Sequence, residues 1–169
     1  LQDALDVAVA MDEIRVGEGT YVPSKMVDPT DSRSVSFVMI ESVAIYGGYA
    51  GFGAADPNER NIVAFTSRLS GDLNGDDGPD FANRGDNCYH VVFNNETYLT
   101  SAALLDGFTL SGGQADVAVQ FNSGGGAFIR LSSPTLNDCT ITDNWGYNSA
   151  GINIITSATA LHGCTIAHN

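Results

Sequence analysis

A short acidic segment holds the residues best suited to bind a metal ion. Asp72, Asn74 and Asp76 lie at alternating positions, and a tight turn directs such oxygen ligands toward one hard cation. Their order matches the start of the calcium-loop pattern D-x-[DN]-x-[DN]. The sequence therefore predicts a weak structural Ca²⁺ site formed by Asp72, Asn74, Asp76, Asp77 and Asp80, with Asp86 as a further ligand.

The same segment departs from a helix-flanked calcium loop. Asp77 occupies the position where glycine normally makes the sharp turn, and Asn83 replaces the bidentate glutamate. No helical pattern flanks the segment, which argues against an EF-hand. A surface turn rich in Asp and Asn that binds no metal is the alternative, and the sequence leaves this choice open.

Four other residues are the candidates for catalysis on a polysaccharide. Such an enzyme needs a base close to the bound sugar together with a cation or a pair of acids. The candidates are Arg130, which follows a run of glycines, and Asp106, Asp138 and Asp143, which lie at or near repeat positions; the sequence names none of them as the acid or the base. Carboxylates at these corners are equally compatible with solvated turns, and none of the four belongs to a specific catalytic motif.

Two aromatic residues are candidates for binding sugars. Trp145 and Tyr147 lie one residue apart, and exposed aromatic rings stack on the CH faces of sugar rings. Packing beneath a local loop is the alternative for both.

Thr109, Thr140 and Thr165 occupy equivalent positions and suggest a third activity, since regular threonine arrays on flat surfaces suit ice binding. The neighbouring column is ragged, and ordinary β-propensity also accounts for threonine at these positions.

These residues are positioned by an internal repeat. The pattern L-x-x-C-T-I-x-x-N spans Leu136–Asn144 and recurs 25 residues later at Leu161–Asn169. Gly126 and Gly151 each precede the repeat leucine by ten residues, and a looser copy lies at Leu105–Leu110. Repetition at this period indicates stacked units that cannot bury their apolar faces alone. The short apolar runs with polar corners predict strands, so the fold class expected is all-β, a right-handed parallel β-helix.

The repeat also predicts which side chains stack on one another. Cys139 and Cys164 share a position and should point inward as reduced thiols, with a disulfide between them as the alternative. Asn144 and Asn169 should form an amide ladder at the corner that follows the strand.

The rest of the chain is expected to continue this one domain, residues 1–169. Residues 1–11 predict an amphipathic capping helix, residues 12–103 irregular rungs with loop excursions, and residues 104–169 regular rungs. The chain reads as a piece of a longer protein. The strand candidates of the first part are Glu13–Val16, Ser34–Ile40, Val43–Tyr46, Ile62–Phe65 and His90–Phe93.

Composition excludes several classes of partner. Seven basic against 20 acidic residues give a net charge of −13, which opposes binding to nucleic acid or to an anionic membrane. No apolar stretch is long enough to insert into a bilayer. The acidic surface suits an extracellular setting and divalent cations.

Five segments that together span most of the chain resemble a known group of proteins. They are similar to bacterial right-handed parallel β-helix proteins of the pectate-lyase-like superfamily. More closely, they resemble large secreted or surface-anchored repeat proteins with polymorphic-outer-membrane-protein-like rungs and a C-terminal anchor. The segments are Asp12–Tyr21, Ala44–Gly51, Gly71–Gly78, Leu105–Gly113 and Ser133–Ile141.

This resemblance implies a secreted or cell-surface location and a structural or adhesive role, with glycans as possible partners. It also implies an alternative, a Ca²⁺-assisted polysaccharide lyase or glycoside hydrolase. In β-helix lyases Ca²⁺ acidifies the proton beside the sugar carboxylate, and an arginine or lysine removes it. Ice binding is the distant third reading. An exposed terminal rung would also favour end-to-end self-association.

Overall fold

The computed structural model describes residues 1–117 and 122–169. Strands joined by short corners and three longer excursions make up most of it, and one short helix precedes them. The helix is α1 (Gln2–Val7), and the strands are β1 (Glu13–Gly17), β2 (Gly19–Tyr21), β3 (Ala44–Tyr49), β4 (Ser67–Ser70), β5 (Val92–Asn95), β6 (Leu104–Asp106), β7 (Phe108–Ser111), β8 (Gln114–Ala115), β9 (Ala127–Arg130), β10 (Thr135–Asn137), β11 (Thr140–Ile141), β12 (Trp145–Gly146), β13 (Ile152–Ile155), β14 (Ala160–His162) and β15 (Thr165–Ile166).

The strands form parallel sheets in which strands from successive repeats are neighbours. The two larger sheets have the orders β1-β3-β6-β10-β14 and β2-β4-β7-β11-β15. A three-stranded sheet, β5-β9-β13, and a two-stranded one, β8-β12, complete the set, and the pairings between these strands are all parallel. The prediction of an all-β protein with a short N-terminal helix is confirmed.

The register of the sheets confirms the alignment of the repeats. Leu136 pairs with Leu161 on one side and with Leu105 on the other. Ile45 extends the column, since it pairs with Leu105, and Ile14 pairs with Ile45 in turn. The irregular first part of the chain therefore supplies strands to the same sheets as the regular second part.

Two of the repeat's inward positions illustrate how the core is filled. Ile141 and Leu110 are neighbours in the second large sheet, and both are fully buried. Cys139 is fully buried and Cys164 half-buried, both as free thiols, and Thr165 N donates to Cys139 O across 2.9 Å. The last strands leave part of this column exposed, since Leu161 and Ile166 lie at the surface.

The asparagine of the repeat forms the predicted ladder. Asn144 is completely buried; its Nδ2 donates to Leu110 O (3.1 Å), and its Oδ1 accepts from the Gly113 N–H (2.9 Å). Asn169 repeats the arrangement, because its Nδ2 donates to Ile141 O (2.8 Å) and its Oδ1 accepts from the Asn144 backbone N–H (3.1 Å). Each amide thus satisfies backbone groups of its own and the neighbouring unit, which a hydrophobic side chain could not do.

The N-terminal helix is shorter than the 1–11 segment predicted. It ends at Val7 because Ala8 adopts extended geometry (φ −65°, ψ 142°). Leu5 joins the main core cluster, against which Leu1 and Ala8 pack. Met11, which lies near helical spacing from Leu1, Leu5 and Ala8 in the sequence, falls beyond the helix and is 88% exposed.

Two predicted strands are absent from the described residues. Ser34–Ile40 is largely buried but makes only isolated bridges, because side chains take the place of the ladder: Ser36 Oγ donates to His90 O and Met39 N to Asn94 Oδ1. Ile62–Phe65 forms a turn, since Asn61 Oδ1 accepts from two of its backbone N–H groups. Local side-chain hydrogen bonds of this kind compete with strand pairing.

No helix among the described residues is long and apolar enough to cross a membrane.

Candidate functional site

A groove with a volume of about 440 Å³ lies between one large sheet and the acidic excursion that follows β4. We call residues 72–86 the acidic loop. The floor of the groove comes from the outward face of β2, β4 and β7, and the acidic loop forms its wall. The floor residues include Thr20, Arg68, Ser70 and Ser111, the wall residues include Asp72, Asp77, Asp80, Phe81 and Arg84, and Asp143 lines the groove as well.

The polar floor follows from strand alternation. In β4, Ser67 and Leu69 are buried, so Arg68 between them points outward. The sheet register places Arg68 between Thr20 of β2 and Thr109 of β7. The Arg68 Nη1 donates to Ser111 Oγ across 2.9 Å, which holds the guanidinium over the sheet.

The wall is organised by one carboxylate. Asp72 accepts hydrogen bonds from the backbone N–H groups of Gly75 (2.7 Å), Asp76 (3.2 Å) and Asp77 (3.2 Å). Aspartate favours such turns because its short side chain reaches backbone donors a few residues ahead. The pattern that suggested a calcium loop therefore also builds a turn by itself.

Three carboxylates of the acidic loop nevertheless converge. One oxygen each of Asp72, Asp76 and Asp86 lies within 4.8 Å of the other two. This spacing suits oxygen ligands around one Ca²⁺, because each ligand lies 2.3–2.6 Å from the ion. Asp86 also accepts from the Asn74 backbone N–H (3.2 Å). From the predicted ligand set, the structure thus brings Asp72 and Asp76 together with Asp86, the further ligand.

The other predicted ligands face different partners. Asp77 Oδ2 accepts from Asn87 Nδ2 (3.0 Å) and lies 3.4 Å from Arg84 Nε. Burial raises the pKa of the Asp77 carboxyl, and this outweighs the opposing effects of Asn87 and Arg84. Asp80 is exposed on the wall of the groove, in a left-handed conformation (φ 55°).

Arg84 fastens the acidic loop over the groove. Its side chain is only 10% exposed. The guanidinium carbon lies 4.4 Å from the centre of the Phe81 ring, and Nη1 donates to Asp143 O across 2.7 Å. Because Phe81 packs on this fixed cation, its ring stands at the wall and remains 42% exposed.

The four catalytic candidates occupy separate places. Arg130 lies in β9 and pairs with Glu96 and Asn95, whereas Asp106 lies in β6 and pairs with Arg60. The two remaining candidates lie in turns, each exposed and in a left-handed conformation: Asp138 (φ 47°) between β10 and β11, and Asp143 (φ 55°) after β11. Of the four, the groove includes Asp143.

The aromatic pair lies at β12. Trp145 and Tyr147 meet edge to face with ring centroids 4.8 Å apart. Trp145 is half-buried and Tyr147 is 61% exposed, so one ring packs while the other offers a surface. Neither residue lines the groove described above.

The threonine column is interrupted. Thr109, Thr140 and Thr165 are in-register neighbours as expected, but the next member beyond Thr109 is Arg68. The acidic loop stands beside this end of the sheet, which makes it a walled groove rather than a flat array of hydroxyl groups.

Sequence reasoning missed Arg68, Phe81 and Arg84. A signal existed for Arg68, since S-R-L-S at 67–70 aligns with F-T-L-S at 108–111 and places the arginine in the threonine column. No sequence signal placed Phe81 or Arg84, because a long-range contact with the backbone at Asp143 fixes both.

Comparison with known proteins found no family model, no curated protein and no solved structure that matches this chain. The geometry of the groove and of the acidic loop is therefore what indicates a function.

Proposed function

We propose that this chain is a structural or adhesive module of a secreted or cell-surface protein, built as a right-handed parallel β-helix that binds a glycan in the groove. The order of the sheets supports the β-helix. Strands β6, β10 and β14 are neighbours in one large sheet, and β7, β11 and β15, each the next strand along the chain, are neighbours in the other. A single chain that coils through both sheets once per repeat accounts for this order, and parallel crossovers are right-handed in nearly every known case.

The observation that carries the glycan proposal is the composition of the groove. Hydroxyl, carboxylate and guanidinium groups line it, and the exposed face of Phe81 stands among them. Sugars present hydroxyl groups on the edges of the ring and CH groups on its faces, so they need hydrogen-bonding partners beside an aromatic surface. The acidic surface and the resemblance to surface proteins favour an extracellular polysaccharide.

Replacement of Phe81 tests this proposal. We expect Phe81→Ala to weaken binding of a polysaccharide about tenfold, because a stacked ring contributes on the order of 1 kcal/mol or more. Binding can be measured by affinity electrophoresis against a panel of neutral and acidic polymers.

Phe52 provides the matched control. It is fully exposed in a different excursion and does not line the groove, so Phe52→Ala should bind like the wild type. Equal losses in both variants, or no retardation of the wild-type protein by any polymer, would contradict the proposed site. Shortening of a polymer during the incubation would instead favour the lyase or hydrolase alternative, with Asp143 as the first residue to replace.

We further propose that the acidic loop binds Ca²⁺ through Asp72, Asp76 and Asp86. The convergence of their oxygens supports this assignment, and the ion would relieve the repulsion between three carboxylates. Asp76→Asn should lower the affinity for Ca²⁺ at least about tenfold, measured by calorimetric titration after chelation.

The control for this titration is Asp56→Asn. Asp56 lies in another exposed loop, where its Oδ1 accepts from the Asn58 backbone N–H (2.9 Å), and it does not belong to the cluster. Titration heats that are absent in the wild type, or unaltered in Asp76→Asn, would identify the segment as a turn that binds no metal.

A further inference from the structure

Within the part of the chain that the structure describes, the ion pairs leave one arginine side chain without a carboxylate partner. The chain has seven basic residues. Six of them lie within 4.0 Å of an Asp or Glu oxygen: Arg15, Lys25, Arg33, Arg60, Arg84 and Arg130. Within the described residues, Arg68 has no such pair, although acidic residues outnumber basic ones almost threefold across the sequence.

This cation lies inside the groove. Arg68 is half-buried on the floor, between Thr20 and Thr109 of the adjacent strands. A guanidinium offers five N–H donors in a planar fork. One of these donors, on Nη1, bonds to Ser111 Oγ. The other N–H donors of the guanidinium suit a planar oxyanion, which arginine binds through two parallel hydrogen bonds.

Three of the four carboxylates that line the groove have other partners, and the fourth, Asp80, lies exposed on the wall. Asp72 accepts from three backbone N–H groups, and Asp77 contacts Asn87 and Arg84. Asp143 Oδ2 accepts from the Thr142 hydroxyl at 3.2 Å. Salt at physiological strength screens charges beyond about 8 Å. The charge that the floor of the groove prefers in a ligand therefore depends more on contact with Arg68 than on the net charge of the chain.

We propose that the groove selects an acidic sugar, whose oxyanion pairs with Arg68 while the sugar ring lies beside Phe81. The oxyanion is a carboxylate of a uronic acid or a sulfate ester, since both present two oxygens to a guanidinium fork. This inference rests on the proposed glycan function and names its ligand class.

The test compares three soluble polymers of matched length: a neutral glucan, a homopolymer of a uronic acid and a sulfated galactan. Wild-type protein should bind at least one acidic polymer more tightly than the glucan. Arg68→Gln should raise the dissociation constant for that polymer about tenfold or more, because a charge-assisted hydrogen bond is lost. Arg68→Lys, which keeps the charge but lacks the fork, should lose part of the affinity.

Arg15→Gln is the matched control, since Arg15 lies in the other large sheet and pairs with Glu13. Its affinity for the acidic polymer should equal that of the wild type. Thermal melts of the variants identify any loss that comes from unfolding, and Arg68→Lys then serves as the folded comparison. Preference for the uronate or for the sulfated galactan identifies which oxyanion the groove takes.

Two outcomes overturn the proposal. If Arg68→Gln binds the acidic polymers as tightly as the wild type, Arg68 is not the anion site. If the wild type binds only the neutral glucan and Phe81→Ala abolishes that binding, the glycan function stands and the acidic-sugar inference fails. Binding to none of the three polymers rejects both.

Discussion

Acidification from pH 6.5 to pH 4 is expected to lower the free energy of unfolding by about 3 kcal/mol through one residue, His90. The side chain is buried, and its ring stacks with Phe93 at a centroid distance of 5.2 Å and contacts Phe128 at 5.3 Å. Desolvation by burial lowers the pKa of His90 from 6.5 to about 4, although the hydrogen bond with Gly124 O (2.9 Å) opposes the shift.

The direction follows from where the proton binds. Below pH 6.5 the unfolded chain protonates its histidine, whereas the folded protein keeps His90 neutral until about pH 4. The unfolded state therefore gains stability as the pH falls through this window. Exposed carboxyls such as Asp28 and Glu41 have pKa values lowered by hydrogen bonds to Thr30 and Thr100, so their contribution is lost mainly at lower pH.

Urea unfolding at pH 7, 5.5 and 4.2 measures this effect. His90→Gln retains an amide that can donate to Gly124 O but does not titrate, so its stability should vary much less across the window than that of the wild type. His162→Gln changes an exposed histidine and should retain the wild-type dependence. A wild-type stability that is constant from pH 7 to 4.2 would show that His90 is not held neutral.

A single methyl group at Gly126 is expected to destabilise the fold by about 3 kcal/mol or more. A Cβ at this position would lie 2.5 Å from Gly151 O, 2.6 Å from Ile141 Cγ2 and 2.9 Å from Asn144 Nδ2. The first is a backbone atom of the adjacent strand region, so it cannot move without disturbing the pairing of β9 with β13. The other two are the isoleucine and the asparagine of the repeat itself.

Gly85→Ala makes the same chemical change where nothing lies within 4 Å of the added Cβ. That variant should be neutral or gain about 0.5 kcal/mol, because alanine restricts the unfolded chain. Chemical unfolding of both variants, followed by circular dichroism, provides the comparison. Similar stabilities for the two would mean that Gly126 is not packed as described.

The close packing around Gly126 and Gly151 explains why the repeat could be recognised in the sequence. A Cβ at Gly126 would meet Ile141 and Asn144, and a Cβ at Gly151 would meet Ile166 and Asn169 in the same way. Glycine, isoleucine and asparagine recur at fixed spacing because they meet at one point in each unit. Strand positions, inward side chains and the asparagine ladder were therefore predictable from the spacing alone.

The excursions were not predictable, because distant contacts hold each of them. Arg33 donates to Asn87 O, Arg60 pairs with Asp106, and Arg84 donates to Asp143 O, over 54, 46 and 59 residues of sequence. An arginine in a polar loop gives no sign of the partner that it will reach. For the same reason the acidic residues of the candidate site could be recognised, while the arginines and Phe81, which complete the groove, could not.

The in-register columns determine how the length of this protein can change during evolution. Leu105, Leu136 and Leu161 pair in register with the equivalent residues of the neighbouring units. A tandem duplication of one unit would supply the new copy with the partners that its parent already has. The protein would then lengthen by one strand spacing, about 4.8 Å, while the groove kept its floor and its wall. The length of the stacked sheets is thus a quantity that evolution can adjust independently of the groove.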